Sequence, residues 1–179
     1  MKKIKIALVL FIGFTFSFIG NSQDLKTQVS VDFKIRNLGI NVDGFFKNAT
    51  ITTNFNSQDI LQWTLSGSLK VNSITTGNKK RDSHLLEDDY FDVNTYPEIN
   101  IVATNFKRTS ESNYEVTIKL TIKKTTKTIK IPMLIANDKR SLILKTYFEI
   151  DRRDYGVGGN SFVLSDTAKI NVNYTLKKE

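Results

Sequence analysis

Short segments in which apolar and polar residues alternate recur along most of this chain, and they constrain its fold more than any other feature. In the first of them, Val31, Phe33 and Ile35 are separated by polar side chains. Because successive side chains of a β-strand point to opposite faces, this pattern predicts a strand with one buried face. Seven similar segments follow. The sequence therefore predicts an all-β fold of eight antiparallel strands.

Eight strands joined by short connections favour an up-and-down barrel, because closure removes the edge strands whose backbone would otherwise stay unpaired. A β-sandwich would show the same alternation and remains an alternative. An α/β fold is disfavoured, because no helices alternate with the strands. A barrel of this size is either filled by its own side chains or holds one ligand. The sequence by itself leaves both possibilities open.

The first 22 residues have the pattern of a signal peptide. Lys2, Lys3 and Lys5 precede an apolar run over residues 6–19, and small residues follow at Gly20 and Ser22. The run is short for a membrane span, and no second apolar stretch follows it. We therefore expect a signal peptide over residues 1–22, no transmembrane segment after its cleavage, and one domain over residues 23–179. The expected location is periplasmic or secreted, in a bacterial envelope.

Composition narrows the classes of function. The chain has no cysteine, so disulfides and cysteine-linked lipid anchors are excluded. Without the signal peptide the net charge falls from +8 to +5. This balance suits an anionic partner, but a lysine-rich soluble surface explains it more simply. The basic residues Lys123, Lys124 and Lys127 have no aromatic neighbours for base stacking, so no nucleic-acid partner is expected.

A single helix is predicted between the third and fourth strands. Asn78 is a suitable N-cap, and residues 79–87 offer about two turns. Basic residues in the first turn are unfavourable next to the positive end of the helix dipole. Either acidic neighbours or a bound anion must compensate, and ion pairing with the acidic residues that follow is the simpler explanation.

No catalytic constellation is present in the sequence. His84 is the only histidine, and it has no cysteine to activate and no second histidine for a metal site. The acidic residues near it lack the spacing of a calcium loop. The glycines of residues 156–159 lack the spacing and the helix of a phosphate-binding loop. We expect neither an enzyme nor a resident cofactor or metal, although an enzyme acting through His84 is a remote alternative.

Several ordered stretches resemble the YceI-like family of polyisoprenoid-binding proteins. The most specific are residues 76–85 (TGNKKRDSHL), residues 89–93 (DYFDV) and Tyr96-Pro97. Residues 33–47, 120–127 and 152–156 and the pair Ser165-Asp166 extend the similarity. Lys124 departs from the pattern, because the family usually has glycine at that turn position. The resemblance spans residues 29–176, which is nearly all of the chain after the signal peptide.

The resemblance implies an extended, lipocalin-like, eight-stranded barrel that holds the tail of an isoprenoid lipid or quinone, without catalysis. The alternating pattern is compatible with an apolar lumen. The positions expected to face it are Phe33, Ile35, Trp63, Leu65, Ile101, Ile118, Leu120, Ile131, Met133, Leu144 and Phe148. Arg81, His84 and Arg152 are the candidates for contact with a polar head group. The alternative is a solid-core barrel that acts as a structural or protein-interaction module. A homodimer enclosing a longer tail remains open.

Overall fold

The computed structural model describes residues 27–56 and 58–178, so the predicted signal peptide lies outside the described residues. These residues form one curled antiparallel sheet and one short α-helix, which confirms the all-β class. The strands are β1 (Thr27–Asn37), β2 (Ile40–Phe46), β3 (Ala49–Asn54), β4 (Thr64–Lys70), β5 (Ile74–Thr75), β6 (Glu98–Arg108), β7 (Asn113–Ile122), β8 (Thr125–Asn137), β9 (Ser141–Asp151) and β10 (Leu164–Lys177).

The sheet has ten strands instead of the eight predicted, because two of the predicted strands are interrupted. Their order is β3-β4-β6-β7-β8-β9-β10-β1-β2-β5. Two residues, Lys47 and Asn48, separate β2 from β3, and the 3₁₀ helix Val71–Ser73 separates β4 from β5. Eight strands result only when each interrupted pair is counted once, and β5 lies outside the segments from which the eight strands were predicted.

The two breaks face each other and satisfy each other's backbone groups. Lys47 N donates to Ser73 O at 3.1 Å, and Lys70 N donates to Asn48 O at 2.9 Å. The buried hydroxyl of Ser73 accepts from Asn48 N at 3.1 Å and donates to Lys70 O at 2.6 Å. Because these bonds replace those of the regular ladder, the chain bends here without leaving buried polar groups unpaired.

Antiparallel pairing places the connections at two opposite ends of the curled sheet. The turn Leu38-Gly39, the segment containing α1 (Lys79–Leu85), the turn Lys123-Lys124 and the β9–β10 connection lie at one end, which we call the helix end. The loops between β3 and β4, between β6 and β7, and between β8 and β9 lie at the other end. We call that the aromatic end.

An aromatic cluster of Phe55, Trp63, Phe106 and Tyr114 closes the aromatic end. The Trp63 ring lies 4.9 Å from that of Phe55, 5.9 Å from that of Phe106 and 5.4 Å from that of Tyr114, measured between ring centroids. Tilted and edge-on contacts of this kind add to the stabilisation from burial alone. The interior between the two ends is apolar, and Val116 and Ile118 of β7 are its most deeply buried side chains.

The helix end is held together by contacts between its connections. Asn78 Oδ1 caps α1 by accepting from Arg81 N at 3.1 Å, as predicted, but α1 ends at Leu85 instead of residue 87. Lys123 Nζ donates to Asp88 O at 2.8 Å, and Gly158 N donates to Asp89 O at 2.8 Å. Gly158 has a φ of +71°, and a Cβ atom there would lie 2.7 Å from the Tyr90 ring. No helix in the described part of the chain is long and apolar enough to span a membrane.

Strands β8 and β9 separate part of the way along their length. They pair only where Leu134–Asn137 faces Leu142–Lys145, whereas β9 pairs with β10 along its whole length. Just beyond the last pair, Thr146 Oγ1 donates to Pro132 O at 2.6 Å. Pro132 has no N–H to offer a partner strand, which suits a position where pairing stops.

Candidate functional site

A cavity of about 210 Å³ lies inside the sheet at the helix end. Apolar side chains from β1, β2, β6, β9 and β10 form most of its wall. The segment that contains α1 contributes Leu85, Tyr90 and Phe91, and the β9–β10 connection contributes Arg152 and Val157. Gly44 of β2 lies opposite Phe33, and a Cβ atom there would come within 2.3 Å of the Phe33 ring. The missing side chain therefore allows Phe33 to lie flat against β2 at the cavity wall.

A second cavity of about 120 Å³ lies deeper, towards the aromatic end. Its wall is almost entirely apolar, and its few polar members are Thr50, Ser68 and Thr146. Five side chains line both cavities, which places the two cavities next to each other: Phe46, Ile99, Ile122, Ile150 and Ile170. The interior thus offers a deep apolar space divided by one layer of side chains.

Ten of the eleven positions predicted to face a lumen line one of the two cavities. Phe33 and Ile35 line the cavity at the helix end. The deeper cavity is lined by Leu65, Ile101, Ile118, Leu120, Ile131, Met133, Leu144 and Phe148. Trp63 lines neither of them. It precedes the first residue of β4 and packs into the aromatic cluster, so it closes the far end instead of forming a side wall.

Arg81 lies at the polar rim of the cavity at the helix end. Its Nε donates to Thr76 Oγ1 at 2.7 Å, and its Nη2 donates to Thr76 O at 2.9 Å. The sequence predicted that Arg81 would pair with the acidic residues after the helix. Within the described residues no carboxylate lies within ion-pair distance of its guanidinium. Arg81 is half-buried and lines the cavity, and its two hydrogen bonds to Thr76 use only part of its donor capacity.

Asp82 anchors the start of the helix segment below Arg81. Its carboxylate accepts from Thr76 N at 2.8 Å, from Thr76 Oγ1 at 2.5 Å and from Thr75 Oγ1 at 3.2 Å. Burial alone would raise the pKa of this carboxyl. The hydrogen bonds and the nearby charge of Arg81 outweigh burial, so the pKa lies below its ordinary value of 3.8. Asp82 therefore stays ionised and holds Thr76 in place to orient Arg81.

His84 also lines this cavity, with its ring packed edge-on against Tyr90 at 4.8 Å. Its Nε2 lies 3.7 Å from Glu87 Oε2 and 3.6 Å from Asp89 Oδ2, distances too long for hydrogen bonds. These three groups are exposed to solvent, and their ligand atoms lie within 4.8 Å of one another. They resemble a cation site only in residue type, because exposed groups of this kind commonly lie close together without an ion.

Arg152 differs from the other two predicted head-group residues, because all of its donors are already in use. Its side chain is 4% exposed. The carbonyl oxygens of Val157, Gly159, Ser165 and Leu164 accept four hydrogen bonds at 2.7 to 3.3 Å, and Asp166 Oδ1 accepts a fifth at 3.1 Å. A guanidinium has five N–H groups. Arg152 lines the outer cavity as Arg81 and His84 do, but its hydrogen bonds hold the β9–β10 connection.

Several lining residues were not predicted. Phe46 lines both cavities and contacts Phe33 and Phe91 at ring distances of 5.8 and 6.3 Å. Its neighbour Phe45 is exposed, so the Phe-Phe pair hid which ring points inward. Thr76 and Asn37 supply polar atoms at the rim. The capping pattern around Asn78 was the available signal for Thr76, because a polar residue just before a helix often bonds to its first turn.

The protein is of the class in which a curled antiparallel β-sheet surrounds an apolar interior with a polar rim at one end. The chain belongs to the YceI-like family, because the model of the YceI-like domain matches residues 24–176. This confirms the resemblance found in the sequence.

Proteins of similar sequence and structure agree with this assignment. A UPF0312 protein of Pseudomonas savastanoi pv. phaseolicola is 37% identical over 102 residues, which are 56% of this chain and 53% of that protein. The chain thus spans about half the length of the curated relatives it matches. BcnA of Burkholderia cenocepacia has a similar fold, with a TM-score of 0.77 at 22% identity, covering 82% of this chain and 95% of that one.

A third similar structure is a polyisoprenoid binding domain from Saccharophagus degradans implicated in plant cell wall breakdown. The match has a TM-score of 0.66 at 13% identity and covers 84% of this chain and 94% of that domain. At this identity the match shows a shared fold.

Proposed function

We propose that this protein binds a polyisoprenoid or a similar long-chain apolar lipid inside the sheet and performs no catalysis. The observation that carries the proposal is the pair of adjoining apolar cavities, with Arg81 and Thr76 at the rim of the outer one. Each CH₂ group of a guest buried there would contribute about 0.8 kcal/mol, so an apolar tail binds without polar contacts. Membership of the YceI-like family and the fold shared with a polyisoprenoid binding domain support the same ligand class.

The barrel proposed for this fold is closed and lipocalin-like, with eight strands when each interrupted pair is counted once. The two edge strands of the sheet order, β3 and β5, support closure. β3 continues β2 after the first break, β5 continues β4 after the second, and the two breaks face each other, so the edges meet.

We propose that the protein lies in the periplasm or outside the cell, because its N-terminal sequence has the pattern of a signal peptide. Arg81 and His84 remain the proposed head-group contacts.

Mass spectrometry of lipids extracted from the purified protein tests the proposal. Protein exported by an isoprenoid-rich bacterium is expected to carry an isoprenoid lipid or quinone in near-stoichiometric amount. Ala168 lines the outer cavity between Ile35 and Ile150 on neighbouring strands, so Ala168→Phe would place a ring in that space. We expect A168F to retain about tenfold less lipid, because the ring would exclude about two CH₂ groups of the tail, each contributing about 0.8 kcal/mol.

The matched control is Ala136→Phe. Ala136 lies on β8 next to the buried Ile135 and lines neither cavity, so its side chain points away from the interior. A136F is expected to retain lipid as the wild type does. Protein that is repeatedly lipid-free would favour the alternative of a solid-core structural module. Equal lipid content in A168F and the wild type would mean that the lipid does not occupy the outer cavity, which would also contradict the proposal.

A further inference from the structure

Four large apolar side chains are exposed together at the helix end. Phe162 is fully exposed, Leu38 and Ile40 are 71% and 70% exposed, and Val163 is also exposed. We call Leu38, Ile40, Phe162 and Val163 the apolar tip. Single exposed apolar residues are common on soluble proteins, but a contiguous group marks a surface that contacts something else.

The apolar tip is an ordered feature built from two neighbouring turns. Leu38 N donates to Val163 O at 2.8 Å, which joins the β1–β2 turn to the β9–β10 connection. Ser161 Oγ accepts from Val163 N at 3.3 Å and from Leu164 N at 3.1 Å. Leu38 has a φ of +51°, a conformation that is unfavourable for leucine. The fold therefore holds the exposed Leu38 at some cost in backbone free energy.

The apolar tip is continuous with the rim of the outer cavity. Asn37 and Leu164 pair across β1 and β10, and both line that cavity. Leu38 follows Asn37 in the chain and Val163 precedes Leu164, and both belong to the apolar tip. A surface that covers the tip would therefore lie directly over the route into the cavity.

Three exposed cations lie at the same end of the molecule as the apolar tip. Arg36, Lys79 and Lys80 are exposed at the helix end, and none has an ion pair in residues 27–56 and 58–178. Asp166 is paired with Arg152 and Arg153. Lys79 and Lys80 lie at the start of α1, and the acidic residues 87–89 follow its end. A helix of seven residues is about 10 Å long, so it separates the two groups of charges by about that distance. Exposed cations at the same end of the molecule as exposed apolar side chains suit an anionic lipid surface.

We propose that the apolar tip inserts into the interface of a lipid bilayer and so positions the outer cavity at the membrane surface. A stable contact between two proteins needs about 800 Å² from each partner, more than four side chains on two turns supply. Shallow insertion of a few apolar side chains with nearby cations is enough for reversible membrane binding. The exchange of lipid at the membrane rests on the proposed lipid binding, whereas insertion of the apolar tip into a bilayer does not depend on it.

Flotation with vesicles tests the docking. The vesicles contain phosphatidylcholine with phosphatidylglycerol and no isoprenoid, so binding in the interior does not contribute. We expect the wild type to float with the vesicles and Phe162→Ser to lower the partition coefficient about tenfold. The matched control is Leu61→Ser, because Leu61 is 79% exposed but lies in the loop between β3 and β4 at the aromatic end. L61S is expected to bind as the wild type does.

Further measurements separate the explanations. A168F is expected to float normally although it retains little lipid, and F162S is expected to keep its thermal unfolding midpoint. Equal partition of F162S and L61S, or a wild type that does not float, would overturn the proposal. So would a wild-type dimer in sedimentation that F162S converts to a monomer, because the tip would then contact a second copy of this chain.

Discussion

Tyr155 has a buried hydroxyl group without a hydrogen-bond partner among the described residues. Burial, together with the charge of Asp154, raises the pKa of this phenol to about 12. A buried hydroxyl that loses its bonds to water without gaining a partner costs about 1 to 3 kcal/mol. Tyr155 belongs to the apolar core, next to the arginine that holds the β9–β10 connection, so its ring contributes to packing while its hydroxyl does not.

The Tyr155→Phe variant is therefore expected to raise the free energy of unfolding by about 1 kcal/mol. Between pH 10 and 12 the unfolded wild type releases the phenol proton that the folded state keeps. The unfolded state then binds fewer protons, so wild-type stability falls over this range and the advantage of Y155F grows. Urea denaturation at several pH values measures both effects.

The control is Tyr147→Phe, because the Tyr147 hydroxyl is exposed and donates to Glu149 Oε1 at 2.8 Å. Its removal is expected to give no gain in stability. A loss of stability in Y155F would mean that the buried hydroxyl does have a partner, for instance an ordered water.

At the scale of elements, the separation of β8 from β9 is the weakest point of the sheet wall. The side chains that flank it, Ile131, Met133 and Thr146, line the deeper cavity and also a groove on the outer surface. The hydrogen bond from Thr146 to Pro132 crosses the gap at this point. Local opening should be easiest where the backbone ladder is absent.

The Thr146→Val variant removes this hydrogen bond while keeping the size of the side chain. We expect faster hydrogen exchange for the amides of β8 that precede Pro132, because they border the gap. Amides in Leu134–Asn137 pair with β9 and are expected to be unchanged, so they serve as an internal control. Uniform acceleration along β8, or none at all, would contradict a local role for the bond.

The breaks within strands and the closure of the aromatic end could not be predicted from the sequence. Alternation identified the long strands, because one buried face leaves a period of two, but β5 has only two residues and shows no period. The break at Lys47-Asn48 was missed, because it is stabilised by Ser73, a residue 25 positions away. Trp63 alternates like a wall residue, and only the packing with Phe55 and Tyr114 shows that it closes the end. Long-range contacts of this kind leave no local signal.

The sequence predicted the apolar part of the candidate site but not its polar rim. The apolar lining follows from alternation, but the charged rim does not, because charge alone does not tell which donors are already satisfied. Arg81 and Arg152 look alike in sequence. Both line the outer cavity, but Arg152 uses its donors on four carbonyl groups and Asp166, whereas the side chain of Arg81 donates only to Thr76.

At the scale of the whole molecule, the two ends of the sheet have different properties. The aromatic end is packed with rings, whereas the helix end carries the outer cavity, its polar rim and the apolar tip. Under the proposed function, a guest would enter at the helix end, with its tail inward and its polar group near Arg81. The layer that includes Phe46 and Ile122 separates the two cavities, so a guest that reaches the deeper one must displace those side chains.

A crystal structure of the exported protein, purified without detergent, would reveal a bound lipid as electron density in the interior. We expect one continuous, elongated density that runs from the rim at Arg81, past a displaced Phe46, into the cavity bordered by Leu65 and Ile118. Density that fits only isolated waters, or an interior with no density and with Phe46 still between the two cavities, would contradict it.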